Sequence, residues 1–216
     1  MIQTQARPMQ QTQAREPVLS VRNLSIDATD GKSVRHLVQD VSFDLFENEV
    51  LGLVGESGSG KSITMLAVLG LLATGLSIAG GSIRLRGQEL TNLSFNEMRK
   101  IRGRTASIIF QDPLTTLNPV LRVGEQIAEA VRLHNPRHSK EQINGRCLEL
   151  MHLVGIANPE KRMKQYPHEF SGGMRQRVVI AIAMANEPDL LIADEPTTAL
   201  DVTIQAQVME VLAEVR

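Results

Sequence analysis

Three short stretches hold residues whose types and spacing could do chemistry. The first is Gly55-Glu56-Ser57-Gly58-Ser59-Gly60-Lys61-Ser62, which fits G-x-x-x-x-G-K-[ST]. Its glycines let backbone N–H groups turn inward as a concave anion site. The helix expected to follow adds the positive end of its dipole. Lys61 would reach the β- and γ-phosphates of a nucleotide, and Ser62 would offer its hydroxyl to Mg²⁺. The same letters could be a bare Gly/Ser turn. The apolar run Val50–Val54 before them and the helical run after them favour a phosphate loop that binds a nucleotide.

The second stretch is Leu190-Leu191-Ile192-Ala193-Asp194-Glu195. An apolar strand here ends in adjacent carboxylates, and ligands of open α/β sheets gather at that edge. Asp194 is expected to hold Mg²⁺, directly or through water. Glu195 is expected to orient and deprotonate a water, as a general base does. The third stretch, Ser171-Gly172-Gly173-Met174-Arg175-Gln176-Arg177, opens a helix. Alone it reads as an N-cap serine with flexible glycines. Beside the other two it becomes a second phosphate site, with no obvious partner in its own subunit.

The elements that must position these residues alternate. Val18–Leu24 and Leu37–Phe46 read as strands, and Val50–Val54 reads as a strand buried on both faces. The uncharged run Ser62–Ile83 is broken by Gly70, Gly75, Gly80 and Gly81, so it reads as a helix, a turn and a strand rather than a membrane span. Asn96–Arg102 is expected to be a helix, and Ala106–Phe110 and Leu190–Ala193 strands, the last fully buried. Val123–Leu133 and Lys140–Val154 have helical spacing, as do Ser171–Asn186 and Val202–Val215. The fold class is α/β with a mostly parallel sheet. A helical subdomain at about 112–180 interrupts the domain of residues 17–216. Residues 1–16 are Gln-rich and are expected to be a floppy tail.

Bulk properties exclude other classes. The net charge of −1 gives no electrostatic case for nucleic acid. The single cysteine, Cys147, cannot form an internal disulfide and reads as a small apolar core residue. His134, Arg137 and His138 are expected to form a solvated basic loop.

In this order, the phosphate loop, Gln111 after a strand, SGGMRQR, LLIADEP and Ala199-Leu200-Asp201 resemble the ATPase subunits of ABC transporters. The resemblance runs from about Val18 to Arg216. It implies a RecA-like P-loop NTPase core and two ATPase subunits, identical or different, packed head to tail. Ser171, Gly172 and Gly173 of one would then contact the γ-phosphate held by Gly55–Ser62 of the other. Gln111 would sense Mg²⁺ and the attacking water and relay to integral membrane permease subunits. Asp201 would lie at the dimer interface. A finer resemblance, carried by residues 110–134, 166–177 and 193–207, is to bacterial dipeptide, oligopeptide and glutathione importers, with nickel importers sharing much of it. It implies peptide import, a periplasmic solute-binding protein as indirect partner, and a peripheral place on the cytoplasmic face of the inner membrane. A soluble ABC-type ATPase of DNA repair or translation is the other class, without the zinc sites, long coiled coils or basic surfaces usual there.

Two departures from the family stand out. No Phe, Tyr or Trp occurs before Phe43, where the family places an adenine-stacking aromatic; Ile26, Asp27 and Ala28 occupy that region. And none of His36, His134, His138, His152 and His168 follows Glu195, where the family has a strand ending in a switch histidine. That strand would lie between the Gly55-side and Asp194-side strands. The expectation is a chain incomplete at its C-terminal end, with exposed Val50–Val54 and Leu190–Ala193 edges, unstable or inactive alone; a remnant that keeps the motifs and has lost function is a further alternative.

Overall fold

The computed structural model describes residues 15–31, 33–111, 113–196 and 205–206. Strands β1 (Leu19–Thr29) and β2 (Val34–Leu45) form a long hairpin, followed by helix α1 (Lys61–Val68). Next come β3 (Leu76–Leu85), β4 (Gln88–Glu89), α2 (Phe95–Ile101) and β5 (Ala106–Ile109). A helical stretch follows: α3 (Pro113–Thr116), α4 (Val123–His134), α5 (Lys140–Leu153), α6 (Pro159–Arg162) and α7 (Gly172–Ala183). Strand β6 (Leu190–Ala193) follows α7. The expected helix Val202–Val215 and the expected tail fall almost wholly outside the described residues.

The first four strands make an antiparallel sheet in the order β2-β1-β3-β4. Among the described residues the parallel part is one ladder, β5 beside β6, paired from Ala106↔Leu190 to Ile109↔Ala193. The uncharged run breaks up as expected, into α1, a turn and β3, and no helix among the described residues is long and apolar enough to cross a membrane.

Val50–Val54 corrects the sequence reading. It is not a strand, and Val50 and Val54 are 80% and 98% exposed. Among the described residues no strand lies beside it, so its N–H and C=O groups have no ladder to join, and an apolar run without a ladder has nothing to bury it. Strand β6 is also less covered than expected: Leu190 and Ile192 are buried, Leu191 is half-buried and Ala193 is exposed.

Two apolar cores meet at the β5–β6 ladder. Ala106, Leu190 and Ile192 belong to a core with Leu24, Ile26, Ile83, Val68 and Met98, beneath the antiparallel sheet. Ile109 and Leu191 belong to a second core with Val123, Ile127, Leu150, Met151 and Ile180, among the helices. Cys147 lies fully buried in that second core, and burial pushes its thiol up to about 11, so it is an apolar filler as expected. His134 departs from the solvated loop expected of it. Its Nε2 is buried, has no hydrogen-bond partner among the described residues, and lies over Gly103.

Serines start three of the helices. Ser94 and Glu97 form a reciprocal capping box on α2, Ser139 and Gln142 another on α5, and the Ser171 hydroxyl accepts from Met174 N on α7. Arg102 ties down the other end of α1. Its guanidinium donates to Leu69 O at 2.6 Å and Gly70 O at 2.7 Å, a cation on the carbonyl end of a helix.

The β3–β4 corner is clamped by a carboxylate. Glu89 accepts from the Ser82 hydroxyl at 2.5 Å, the Thr91 hydroxyl at 2.7 Å, Ile83 N at 3.1 Å and Arg84 Nε at 3.2 Å. Burial works to raise its pKa, but the four donors together outweigh it and hold it at about 2. A lowered folded-state value means the stabilisation is complete above the ordinary value of 4.5 and is lost as pH falls from there through about 2. Urea melts from pH 6 to pH 2.5 should therefore show a stability loss in this window that is smaller in Glu89→Gln than in the unmutated chain.

Candidate functional site

The chain turns from Val54 into the phosphate loop and then into α1. Gly60, the residue before the helix, has φ +90°, and a Cβ there would lie 2.8 Å from Val38 Cγ2. Both facts require glycine. Helix α1 has no side-chain cap at its N-terminus and no acidic residue in its first turn. Its leading N–H groups are thus open to an anion. Lys61 arches back over the loop, donating to Gly55 O at 2.7 Å and Glu56 O at 2.9 Å, with the Ser59 hydroxyl at 3.4 Å. The ammonium sits over the same concavity where a phosphate would compete for it.

The two acids arrive from the other sheet. Ser62 Oγ donates to Asp194 Oδ1 at 3.0 Å, joining residues 132 apart in sequence. A hydroxyl and a carboxylate at that distance suit a hard divalent cation that takes its remaining ligands from phosphates and water. Among the described residues no group of three or more His, Cys, Asp or Glu side chains could hold a metal by itself. Gln111 Nε2 donates to Glu195 Oε2 at 3.0 Å. Glu195 is exposed and has φ +47°, a strained conformation for a bulky residue that recurs at functional sites.

Five of the expected residues thus come together: Lys61, Ser62, Gln111, Asp194 and Glu195. The third stretch does not join them. Ser171 and Gly172 are exposed at the start of α7, and no hydrogen bond among the described residues links Ser171, Gly172 or Gly173 to the phosphate loop. Asp201 lies outside the described residues. The arginines of SGGMRQR are positional: Arg175 donates to Pro167 O at 2.9 Å, and Arg177 to Gly155 O at 2.9 Å and Val154 O at 3.2 Å. Arg102, which anchors α1, was missed because a lone arginine in a charged helix carries no sequence signal.

Comparison with known proteins settles the lineage. The profile described as ABC transporter matches residues 38–198. The chain belongs to the ABC transporter family. This ABC-family chain is 51% identical over 202 residues to the dipeptide transport ATP-binding protein DppD of Bacillus subtilis, covering 93% of this chain and 60% of that protein. It is 51% identical over 201 residues to the oligopeptide transport ATP-binding protein OppD of Mycobacterium tuberculosis, covering 93% of this chain and 32% of that one. It therefore spans at most about 60% of the length of these relatives. Among solved structures, the ABC cassette MJ0796 in a dimeric post-hydrolysis state with ADP and Pi superposes with TM-score 0.78 at 27% identity, over 90% of this chain and 81% of that one. CbiO1 of Clostridium perfringens gives 0.75 at 25%, over 93% and 74%. The P-loop NTPase fold class expected from the sequence holds.

The Ser62–Asp194 pair predicts a metal-specific defect. Asp194→Asn should weaken nucleotide binding in the presence of Mg²⁺ and leave it nearly unchanged in EDTA, read by titration calorimetry.

Proposed function

We propose that this chain binds Mg-ATP at Gly55–Ser62, hydrolyses it, and so drives the uptake of peptides through a membrane permease. The observation that carries the reading is the convergence of Lys61, Ser62, Asp194, Glu195 and Gln111 around one loop. Backbone N–H groups of the loop and of α1 would cradle the phosphates. Lys61 would leave the loop carbonyls for the β- and γ-oxygens, where charge develops during phosphoryl transfer. Ser62 and Asp194 would hold Mg²⁺, which supplies charge neutralisation on those oxygens. Glu195 would take the proton from a water that the Gln111 amide helps to orient.

The exposed N-terminus of α7 supports the second half of the reading. Among the described residues no hydrogen bond links Ser171, Gly172 or Gly173 to the phosphate loop of their own chain, and a second ATPase subunit packed head to tail would bring them a phosphate. Gln111 and the helical segment would carry closure of that pair to the permease, at the cytoplasmic face of the inner membrane. The peptide class comes from DppD and OppD, whose names say what they serve. A periplasmic solute-binding protein would deliver the cargo. The low net charge argues against nucleic acid as the partner.

Thermal melts and turnover test the chemistry together. Mg-ATP at about a hundred times its dissociation constant should add about 2.7 kcal/mol of stability. Lys61→Ala should abolish that gain. Glu195→Gln should keep it while turnover falls about 10²–10⁴-fold, the usual contribution of a general base. A chain that gains no stability from Mg-ATP overturns the nucleotide reading. For the cargo, cells whose only copy carries Glu195→Gln should lose uptake of a labelled dipeptide. Normal peptide uptake with lost uptake of another solute, such as nickel, overturns the peptide class.

A further inference from the structure

We propose that a basic cleft between α4, α5 and the loops leading into β5 and β6 binds a phosphate group, as inorganic phosphate or as the head of a small phosphomonoester. The cleft is separate from the Gly55–Ser62 loop, and the inference does not rest on the ATP reading. Its volume is about 410 Å³. Arg104, His134, His138 and Arg146 line it, and among the described residues Glu187 is the one acid on its wall. It shares Arg104, Asn186 and Glu187 with a wider cleft of about 670 Å³ that extends to Lys100 and Asp189.

The cleft lies at the far end of the parallel ladder from the residues of the candidate site. Arg104 precedes β5, and Asn186 and Glu187 precede β6, while Gln111, Asp194 and Glu195 follow the other ends of the same strands. Four residues of strand separate the two ends, a length of about 13 Å. Two amides stitch the walls together. Asn186 Nδ2 donates to Gly103 O at 2.9 Å and to Ala130 O at 3.1 Å. Asn135 Nδ2 donates to Asn186 Oδ1 and to Val131 O, each at 2.8 Å. Arg146 reaches over from α5 to Ala185 O at 3.3 Å. The walls are thus held in place by contacts that leave Arg104 and His138 unused.

The state of each charge decides the ligand. The acids are already engaged. Glu187 pairs with Arg146 at 2.9 Å, Asp189 accepts from Arg86 at 2.8 Å, and Glu97 accepts from Ser94 N at 2.8 Å and from its hydroxyl at 2.6 Å. The cations are not. Among the described residues the Arg104 guanidinium and the His138 ring make no hydrogen bond or ion pair. The His134 ring lines the same wall, with its Nε2 turned in over Gly103. The carbonyl ends of α2 and α4 do not account for these groups, because their last turns carry Arg99, Lys100 and Arg132. In a chain of net charge −1 this is a local surplus of positive donors. A guanidinium fork beside imidazoles suits a ligand with several anionic oxygens, which is the chemistry of a phosphate group.

The test is ¹H–¹⁵N spectroscopy of the histidine rings in the whole chain. Sodium phosphate and glycerol phosphate are titrated in parallel at fixed pH, each against sodium chloride of matched ionic strength. His134 and His138 should shift along saturable curves, while His36, His152 and His168 stay still. Arg104→Ala should weaken binding about ten-fold, the worth of a charge-assisted hydrogen bond. Arg104 is exposed and unbonded, so this variant should melt like the unmutated chain. Lys61→Ala should leave the curves unchanged, which separates this cleft from the phosphate loop. Tighter glycerol phosphate identifies a monoester as the ligand, and tighter inorganic phosphate identifies the free ion. Shifts that chloride reproduces, shifts lost in Lys61→Ala, or an unchanged affinity in Arg104→Ala would overturn the proposal.

Discussion

The site depends on the register of one short parallel ladder. β5 and β6 pair over four positions and end at Ile109↔Ala193, with Asp194 N donating to Ile109 O at 3.0 Å. Gln111 and Glu195 are each two residues past that last pair, so they reach the same height and their side chains meet. A slip of one residue would turn every side chain of a strand to its other face. Ala106, Leu190 and Ile192 would then leave the core under the antiparallel sheet, and Ile109 and Leu191 the core among the helices. Burial on both sides of the ladder is therefore what fixes the separation of the amide and the carboxylate.

The phosphate loop is tied to this ladder through α1, whose Ala67 and Val68 share a core with Ala106, Leu190 and Ile192. Three contacts set its place. Arg102 holds the carbonyl end of α1, Val38 closes on Gly60 at the other end, and Ser62 reaches Asp194. The first two use residues that do no chemistry. Burial of Ala67, Val68 and Leu69 beneath the antiparallel sheet adds to them, so α1 does not rest on the exposed Ser62–Asp194 hydrogen bond, which contributes only about 1 kcal/mol.

Much of this was legible in the sequence, and the failures have physical causes. Motif spacing located the loop, the paired acids and the start of α7, because the chemistry needs those residue types in that order. Helix positions were within a residue or two for α2, α4 and α5; apolar periodicity marks α4 and α5, and serine caps fix the starts of α2 and α5. Val50–Val54 was read as a strand because an apolar run scores alike whether or not a neighbour exists; pairing is a property of the sheet and not of the segment. The start of β3 at Leu76 was not legible because the glycines that follow it look like a turn, while in the fold Gly80 lies opposite Ser25 across the ladder. The roles of Arg102, Arg175 and Arg177 were invisible, since each acts on backbone carbonyls far away in sequence.

Helix α7 shows how the positional and the chemical residues divide one motif between them. Its outer end, Ser171 and Gly172, is exposed, and the Ser171 hydroxyl holds Met174 N at a long 3.4 Å, a bond easily given up for a better acceptor. Its inner residues do the opposite. Arg175 and Arg177 pin the helix to the carbonyls of Pro167, Val154 and Gly155, and Val178, Val179 and Ile180 are buried in the helical core. Gln176 is buried among them, and among the described residues its amide atoms have no hydrogen-bond partner. The helix is thus fixed at its inner turns, while Ser171 and Gly172 at its start are exposed. A segment built this way can present its first turn to another molecule without itself rearranging, and that is the property the proposed head-to-tail pair of such chains would need.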